Sequence, residues 1–147
     1  MIAVSACLLG INCKYNGNNN ENEKVVNYLK DKKFILICPE QLGGLSTPRN
    51  PSEIINGDGY SVINNESKII DKNNKDVSIE FIKGANESLK IAKMYECREA
   101  ILKEGSPSCG SNFIYDGTFS GKKISGVGAT AALFRKNGIK VISETQL

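Results

Sequence analysis

The sequence of 147 residues contains no histidine, no tryptophan and no long run of apolar residues. Without histidine the chain can have no Ser–His or Cys–His catalytic pair and no zinc site of mixed cysteine and histidine ligands. Because no apolar run approaches the about 20 residues that span a bilayer, we expect no transmembrane helix. Metal binding and proton transfer must therefore depend on thiols, carboxylates and hydroxyls.

The chain also lacks a strong excess of charge and the marks of a targeting segment. Its formal net charge is +3, with both signs scattered along the sequence, so we expect neither a nucleic-acid partner nor a membrane partner. Residues 1–7 lack the basic start of a signal peptide, which predicts a cytoplasmic protein. No feature of the sequence indicates an oligomeric state.

Five cysteines are the most informative residues that are present. Cys7, Cys38 and Cys109 each stand in a segment rich in glycine, proline or serine that follows a short apolar run. In a reducing cytoplasm, cysteines are more often thiols or metal ligands than disulfides.

Alternating strand and helix patterns predict an α/β fold in a single domain over residues 1–147. Short apolar runs, partly β-branched, predict buried strands at residues 2–6, 34–38, 99–103 and 139–142. Apolar residues at helical spacing predict helices around residues 25–29, 77–96 and 127–134. This order indicates an open, mostly parallel, Rossmann-like sheet flanked by helices.

Two further segments complete the predicted fold. Residues 60–63 and 68–70 are β-rich and separated by a polar turn, which predicts a small hairpin insertion. Residues 41–59 are rich in Gly, Pro and Ser and predict a long ordered loop, of a kind that is often functional. Within this loop, Arg49 is a candidate partner of Glu53 or of a substrate.

The predicted topology brings the three loop cysteines to one edge of the sheet. Ligands of open α/β sheets bind at the carboxyl ends of the strands, and Cys7, Cys38 and Cys109 all lie just beyond predicted strand ends. Four interpretations remain open: buried structural thiols, a zinc site, a dithiol redox pair of Cys7 and Cys13, or an iron–sulfur cluster. A Cys-x-x-Cys pair is missing, which disfavours zinc. Iron–sulfur clusters take cysteine thiolates as ligands, which favours the cluster, although the three cysteines are scattered and form no compact ferredoxin motif. Cys97 is expected to pack in the core.

Four ordered motifs resemble one known family. They are residues 5–17 (SACLLGINCKYNG), 38–49 (CPEQLGGLSTPR), 106–110 (SPSCG) and 115–119 (YDGTF). This pattern is similar to that of the 2-thiouracil desulfurase (desulfidase) family, long catalogued as a domain of unknown function. The resemblance extends from residue 4 to residue 144.

The resemblance implies a [4Fe-4S] cluster held by three cysteines, with one iron that has no protein ligand. By motif position the ligands are Cys7, Cys38 and Cys109. A catalytic glutamate falls on Glu40, and a catalytic serine falls within residues 106–109, where we favour Ser108 over Ser106. Cys13 is either a neighbour of the cluster or a fourth ligand.

The expected activity is hydrolysis of C=S to C=O in a small thiolated pyrimidine, with release of sulfide. Water would attack the carbon and Glu40 would transfer protons. One departure concerns the substrate: residue 16 is Asn16, where relatives often carry aspartate. A sulfide or sulfur carrier, and a non-catalytic metal-binding structural or sensor module, are the alternatives.

Overall fold

A four-stranded parallel sheet forms the centre of the molecule. The computed structural model describes residues 1–147. The strands of this sheet are β1 (Ile2–Ser5), β2 (Phe34–Ile37), β5 (Glu99–Leu102) and β8 (Lys140–Ser143). Their spatial order is β2-β1-β5-β8, and every neighbouring pair is parallel. The predicted strands and the α/β class are thereby confirmed.

Helices cover both faces of this sheet, as its alternating side chains require. The helices are α1 (Glu23–Leu29), α2 (Pro39–Leu42), α3 (Gly59–Ile63), α4 (Ser78–Met94) and α5 (Ala129–Lys136). Ala3, Ala100 and Leu102 face a core shared with α4 and α5. Val4 and Ile101 face the opposite core, where α1 packs. No helix combines the length and the apolar character needed to cross a membrane.

Two small antiparallel pairs lie outside the central sheet. Strand β3 (Ser52–Ile55) pairs with β4 (Lys68–Asp71), and β6 (Phe113–Tyr115) pairs with β7 (Lys123–Ser125). The β3–β4 pair joins a third core, in which the side chains of Ile54 and Ile69 are almost completely buried.

The hairpin predicted from residues 60–63 and 68–70 is wrong, because the first of these segments is helix α3. Asp58 caps that helix: its carboxylate accepts the N–H groups of Tyr60 and Ser61, and the Ser61 hydroxyl accepts the N–H of Asp58. This capping box decides the conformation of a run whose length alone suits either a strand or a helix turn. Strand β4 pairs instead with β3, which lies within residues 41–59, the segment predicted as a long loop.

Helix α2 is held against α4 by two glycines at a close crossing. A Cβ atom on Gly43 would lie 1.9 Å from the carbonyl oxygen of Glu80, and one on Gly84 would lie 1.9 Å from that of Pro39. Only residues without a side chain allow the two backbones to approach this closely. The crossing fixes the position of α2 relative to the longest helix of the molecule.

Candidate active site

The cysteines predicted from strand ends meet at one cavity. Cys7 lies in a short 3₁₀ helix (Ala6–Leu9) after β1, Cys38 directly follows β2, and Cys109 lies in the loop after β5. Strands β2, β1 and β5 are consecutive neighbours in the sheet, so their carboxyl ends deliver the three thiols side by side. All three line a cavity of about 530 Å³, together with Cys13. All five cysteines are free thiols.

Cys13 contacts two of these thiols. The Cys38 thiol donates a hydrogen bond to the carbonyl oxygen of Cys13 at 3.9 Å, and the Cys13 thiol lies near the sulfurs of both Cys7 and Cys38. Donation from the Cys13 thiol lowers the pKa of Cys7 and lowers the pKa of Cys38 to about 7. As the shared donor, Cys13 itself has a raised pKa. The arrangement favours thiolates at Cys7 and Cys38, and metals are bound by thiolates.

Cys109 is the most deeply placed of the proposed ligands. It is 5% exposed, and the hydroxyl of Ser5 donates a hydrogen bond to its sulfur at 3.4 Å. Burial raises the pKa of the Cys109 thiol in the metal-free protein. A bound metal would offset this desolvation, because coordination deprotonates a thiol outright.

The donor set fits an iron–sulfur cluster better than a single metal ion. No group of three or more Cys, Asp or Glu side chains is arranged to hold one ion. Thiolates around a tetrahedral zinc lie about 3.8 Å apart, given a Zn–S bond of about 2.3 Å, whereas thiolates on separate irons of one cluster stand farther apart. The cavity also has room for more than an ion, and its ligands are thiols, which iron–sulfur clusters prefer.

Glu40 lies in the first turn of α2, two residues after Cys38, and lines the same cavity. Its two carboxylate oxygens have different partners. Oε2 accepts a hydrogen bond from Nε of Arg49 at 2.6 Å, while Oε1 accepts one from the hydroxyl of Ser106 at 3.3 Å. The carboxylate is therefore held at both ends beside the thiols.

The structure brings Ser106, rather than Ser108, to the cavity. The backbone N–H groups of Ser108 and Cys109 both donate to the Ser106 oxygen at 3.1 Å, so its remaining proton is directed at Glu40. The side chain of Ser108 is fully buried and shares a 2.9 Å hydrogen bond with the hydroxyl of Thr130 on α5. A serine-rich motif gives no signal for which hydroxyl faces the cavity, since that depends on the turn of the loop.

Glu104 organises the loop that carries Cys109, and sequence reasoning missed it. Its Oε1 accepts the backbone N–H groups of Ser111, Asn112 and Phe113, and its Oε2 accepts the side-chain amide of Asn112. Burial alone would raise the pKa of the Glu104 carboxyl, but these donors lower the pKa overall. A single acidic residue after a strand carries no sequence signal for this role.

Aromatic side chains line the outer part of the cavity: Tyr15, Tyr115 and Phe119. Phe119 lies in the turn between β6 and β7 with φ of 55°, in the left-handed region. The Glu53 carboxylate secures this turn by accepting the N–H groups of Gly117 at 3.0 Å and Phe119 at 3.2 Å. Glu53 is thus engaged here and not with Arg49, whose partner is Glu40.

Cys97 lies away from the cavity. It belongs to the core shared with α4 and α5, and burial raises the pKa of its thiol. The prediction that Cys97 packs in the core is confirmed.

The chain is similar in sequence and in overall fold to known proteins. The profile of the family described as 2-thiouracil desulfurase matches residues 2–146. The uncharacterized protein YbbK of Bacillus subtilis (strain 168) is 52% identical over 147 residues, which are 100% of this chain and 97% of YbbK. A solved structure of the [4Fe-4S]-dependent thiouracil desulfidase TudS superposes with a TM-score of 0.87 at 40% identity, covering 99% of this chain and 91% of TudS. The chain therefore belongs to the 2-thiouracil desulfurase family.

Proposed function

We propose that this protein is a [4Fe-4S]-dependent desulfurase that hydrolyses the C=S group of a small thiolated pyrimidine to C=O and releases sulfide. Water supplies the oxygen, and sulfur leaves as hydrogen sulfide, so the reaction needs no oxidant or reductant. The observation that carries the proposal is the placement of Glu40 among three thiols from neighbouring strand ends. The family match and the name of TudS support the substrate class.

Cys7, Cys38 and Cys109 would hold the cluster. Each thiol comes from a different strand end, and three cysteine ligands would leave one iron of a four-iron cluster without a protein ligand. With that open iron, the bound cluster supplies a Lewis acid that attracts the sulfur of the substrate. Cys13 lies within hydrogen-bonding distance of two ligands and is proposed to support them as a donor.

Glu40 is the proposed base for the attacking water and the donor of a proton to the product. General acid–base catalysis by one positioned group contributes about 10²–10⁴-fold to a rate. The chain contains no histidine, and Glu40 is the cavity carboxylate that lies two residues from a proposed ligand and contacts the hydroxyl of Ser106.

Ser106 is the proposed orienting hydroxyl for Glu40. A serine hydroxyl has one proton to donate and two lone pairs that accept. The two lone pairs of Ser106 receive the N–H groups of Ser108 and Cys109, which leaves none for attack on carbon. Ser106 therefore fixes Oε1 of Glu40 and does not act as a nucleophile. Ser108 instead stabilises the loop through the hydrogen bond between its hydroxyl and that of Thr130 on α5.

The aromatic wall of the cavity suits a flat heterocycle. Tyr15 and Phe119 are each about two-fifths exposed, at 42% and 37%, and both line the cavity. A planar pyrimidine can stack on such faces, where an open-chain thioamide offers no ring to stack. Glu53 accepts two backbone N–H groups of the turn that carries Phe119, and these hydrogen bonds fix the position of the Phe119 ring.

The test is anaerobic turnover of 2-thiouracil by the cluster-loaded protein, following uracil and sulfide together. We expect equal amounts of both products, whereas a sulfur carrier would bind sulfide without forming uracil over many cycles. Glu40→Gln should retain wild-type iron and lose at least about 100-fold in kcat. Wild-type turnover by Glu40→Gln would remove Glu40 from the mechanism.

Two serine variants complete the same experiment. Ser106→Ala should lower kcat by about 10-fold or more, the kinetic equivalent of one hydrogen bond to a charged group. Ser108→Ala should mainly lower the free energy of unfolding, by about 1 kcal/mol for its hydrogen bond. A larger loss of kcat in Ser108→Ala than in Ser106→Ala would return the catalytic role to Ser108.

A further inference from the structure

Arg49 lines the cavity and donates a hydrogen bond to the proposed catalytic residue Glu40. Its side chain is only 8% exposed, although it lies in a segment predicted as a loop. Nε and one terminal nitrogen both contact Oε2 of Glu40. A buried guanidinium that binds one oxygen of the Glu40 carboxylate can fix the orientation of that carboxylate.

The other N–H groups of Arg49 tie together two segments around the cavity. One terminal nitrogen donates to the carbonyl oxygen of Cys13 at 2.8 Å. The other donates to the hydroxyl of Thr47 at 3.0 Å and to the carbonyl of Ser46 at 3.3 Å. A guanidinium has five N–H groups in a fixed fork, and the five contacts of Arg49 account for all of them.

This geometry determines which oxygen of Glu40 is available for chemistry. Oε2 is held by Arg49, so the carboxylate cannot rotate freely, and Oε1 is left with the single 3.3 Å contact from Ser106. Arg49 also brings a positive charge next to the carboxylate of Glu40. Lysine could not replace it, because an ammonium is a point donor without the planar fork.

We propose that Arg49 is a positioning residue for catalysis: it holds Glu40 by Oε2, directs Oε1 towards the substrate, and locks this orientation to the segment that carries Cys13. The inference rests on the proposed function, in which Glu40 transfers protons. It adds that the orientation of the carboxylate, and not only its presence, sets the rate. A misplacement of about 1 Å in a catalytic group can cost about 100-fold in rate.

The experiment compares cluster-loaded Arg49→Ala and Arg49→Lys with a matched control, Arg98→Lys. Arg98 is exposed, lies next to the amino-terminal end of β5 and makes no side-chain hydrogen bond or ion pair. We expect Arg49→Ala to lose about 100-fold in kcat, with KM for 2-thiouracil and iron content near wild type. Millimolar guanidinium should restore part of this kcat. Arg49→Lys should lose at least about 10-fold, and Arg98→Lys should match the wild type.

A double variant separates positioning from simple structural support. If Arg49 acts through Glu40, then Glu40→Gln combined with Arg49→Lys is no slower than Glu40→Gln alone, because residues that act as a unit are not additive. Additive losses would overturn the proposal, as would wild-type kcat in Arg49→Lys. If Arg49→Ala cannot hold iron, Arg49→Lys and the double variant still decide the question.

The same data separate this inference from the proposed function. Loss of turnover in Glu40→Gln with full turnover in Arg49→Lys would reject the role of Arg49 alone. Full turnover in Glu40→Gln would reject the role of Glu40, and the role of Arg49 would fall with it.

Discussion

Cys13 lies in the same cavity as the three proposed ligands, but it does not follow a strand of the central sheet. Its sulfur contacts Cys7 and Cys38, but no strand end of its own carries it, since it lies in the loop between the 3₁₀ helix and α1. The three proposed ligands each follow a separate strand of the central sheet, and a proposed cluster with one open iron would need no fourth thiol.

Replacing the sulfur of Cys13 by oxygen tests whether Cys13 is a ligand of the proposed cluster or only a neighbour of the ligands. We expect Cys13→Ser to keep the iron content of the wild type after anaerobic reconstitution, because serine retains a hydrogen-bond donor at the same place. Cys38→Ser should lose most of its iron, and Cys97→Ser, in the core away from the cavity, should lose none. Equal iron loss in Cys13→Ser and Cys38→Ser would identify Cys13 as a ligand.

At the scale of elements, the loop after β5 depends on the charge of one buried carboxylate. Glu104 is 4% exposed, and its side chain accepts the backbone N–H groups of Ser111, Asn112 and Phe113. Unpaired N–H groups in a buried loop are costly. The conformation of the segment that presents Cys109 therefore depends on an ionised Glu104.

Glu104→Gln is expected to lower the free energy of unfolding by about 2 kcal/mol at pH 7, the scale of a hydrogen bond to a charged group. Because folding lowers the pKa of Glu104 below its ordinary value of 4.5, its contribution is complete above that pH and is lost as the pH falls below it. The difference from wild type in urea unfolding should therefore shrink in acid. The exposed Glu66→Gln is the control; a difference that does not change with pH would contradict the role of the charge.

Helix α2 depends on α4 in a different way, through backbone contact. Gly84→Ala would place a Cβ atom 1.9 Å from the carbonyl of Pro39, so α2 and Glu40 must move. We expect a loss of about 1–3 kcal/mol in urea unfolding, as for other overpacked sites, and a lower kcat with unchanged iron content. Lys83→Ala, on the exposed side of the same helix, should change neither. Wild-type kcat in Gly84→Ala would show that the crossing does not position Glu40.

For the molecule as a whole, the sequence predicted the central sheet and the meeting of three cysteines, because both follow from local apolar runs. The position of Ser106, the Arg49–Glu40 pair and the β3–β4 pairing were not predictable in this way. The contact between Ser106 and Glu40 joins residues 66 positions apart. Arg49 and Glu40 are only nine positions apart, but their pairing depends on the path of the loop between them, which no local pattern indicates. Strand β3 was also hidden because only Ile54 and Ile55 of its four residues are apolar.

The distance along the chain between the proposed ligands also determines when the proposed cluster site can form. Ser5 and Cys109, which are hydrogen-bonded, are 104 positions apart. The loop before Cys109 is completed only when the N–H groups of Ala129 and Thr130 reach the carbonyls of Pro107 and Ser108. A ribosome releases the amino-terminal end first. Cys7, Cys13 and Cys38 therefore emerge before the loop that carries Cys109. If the proposed cluster is held by these three cysteines, its site would be complete only after α5 has left the ribosome.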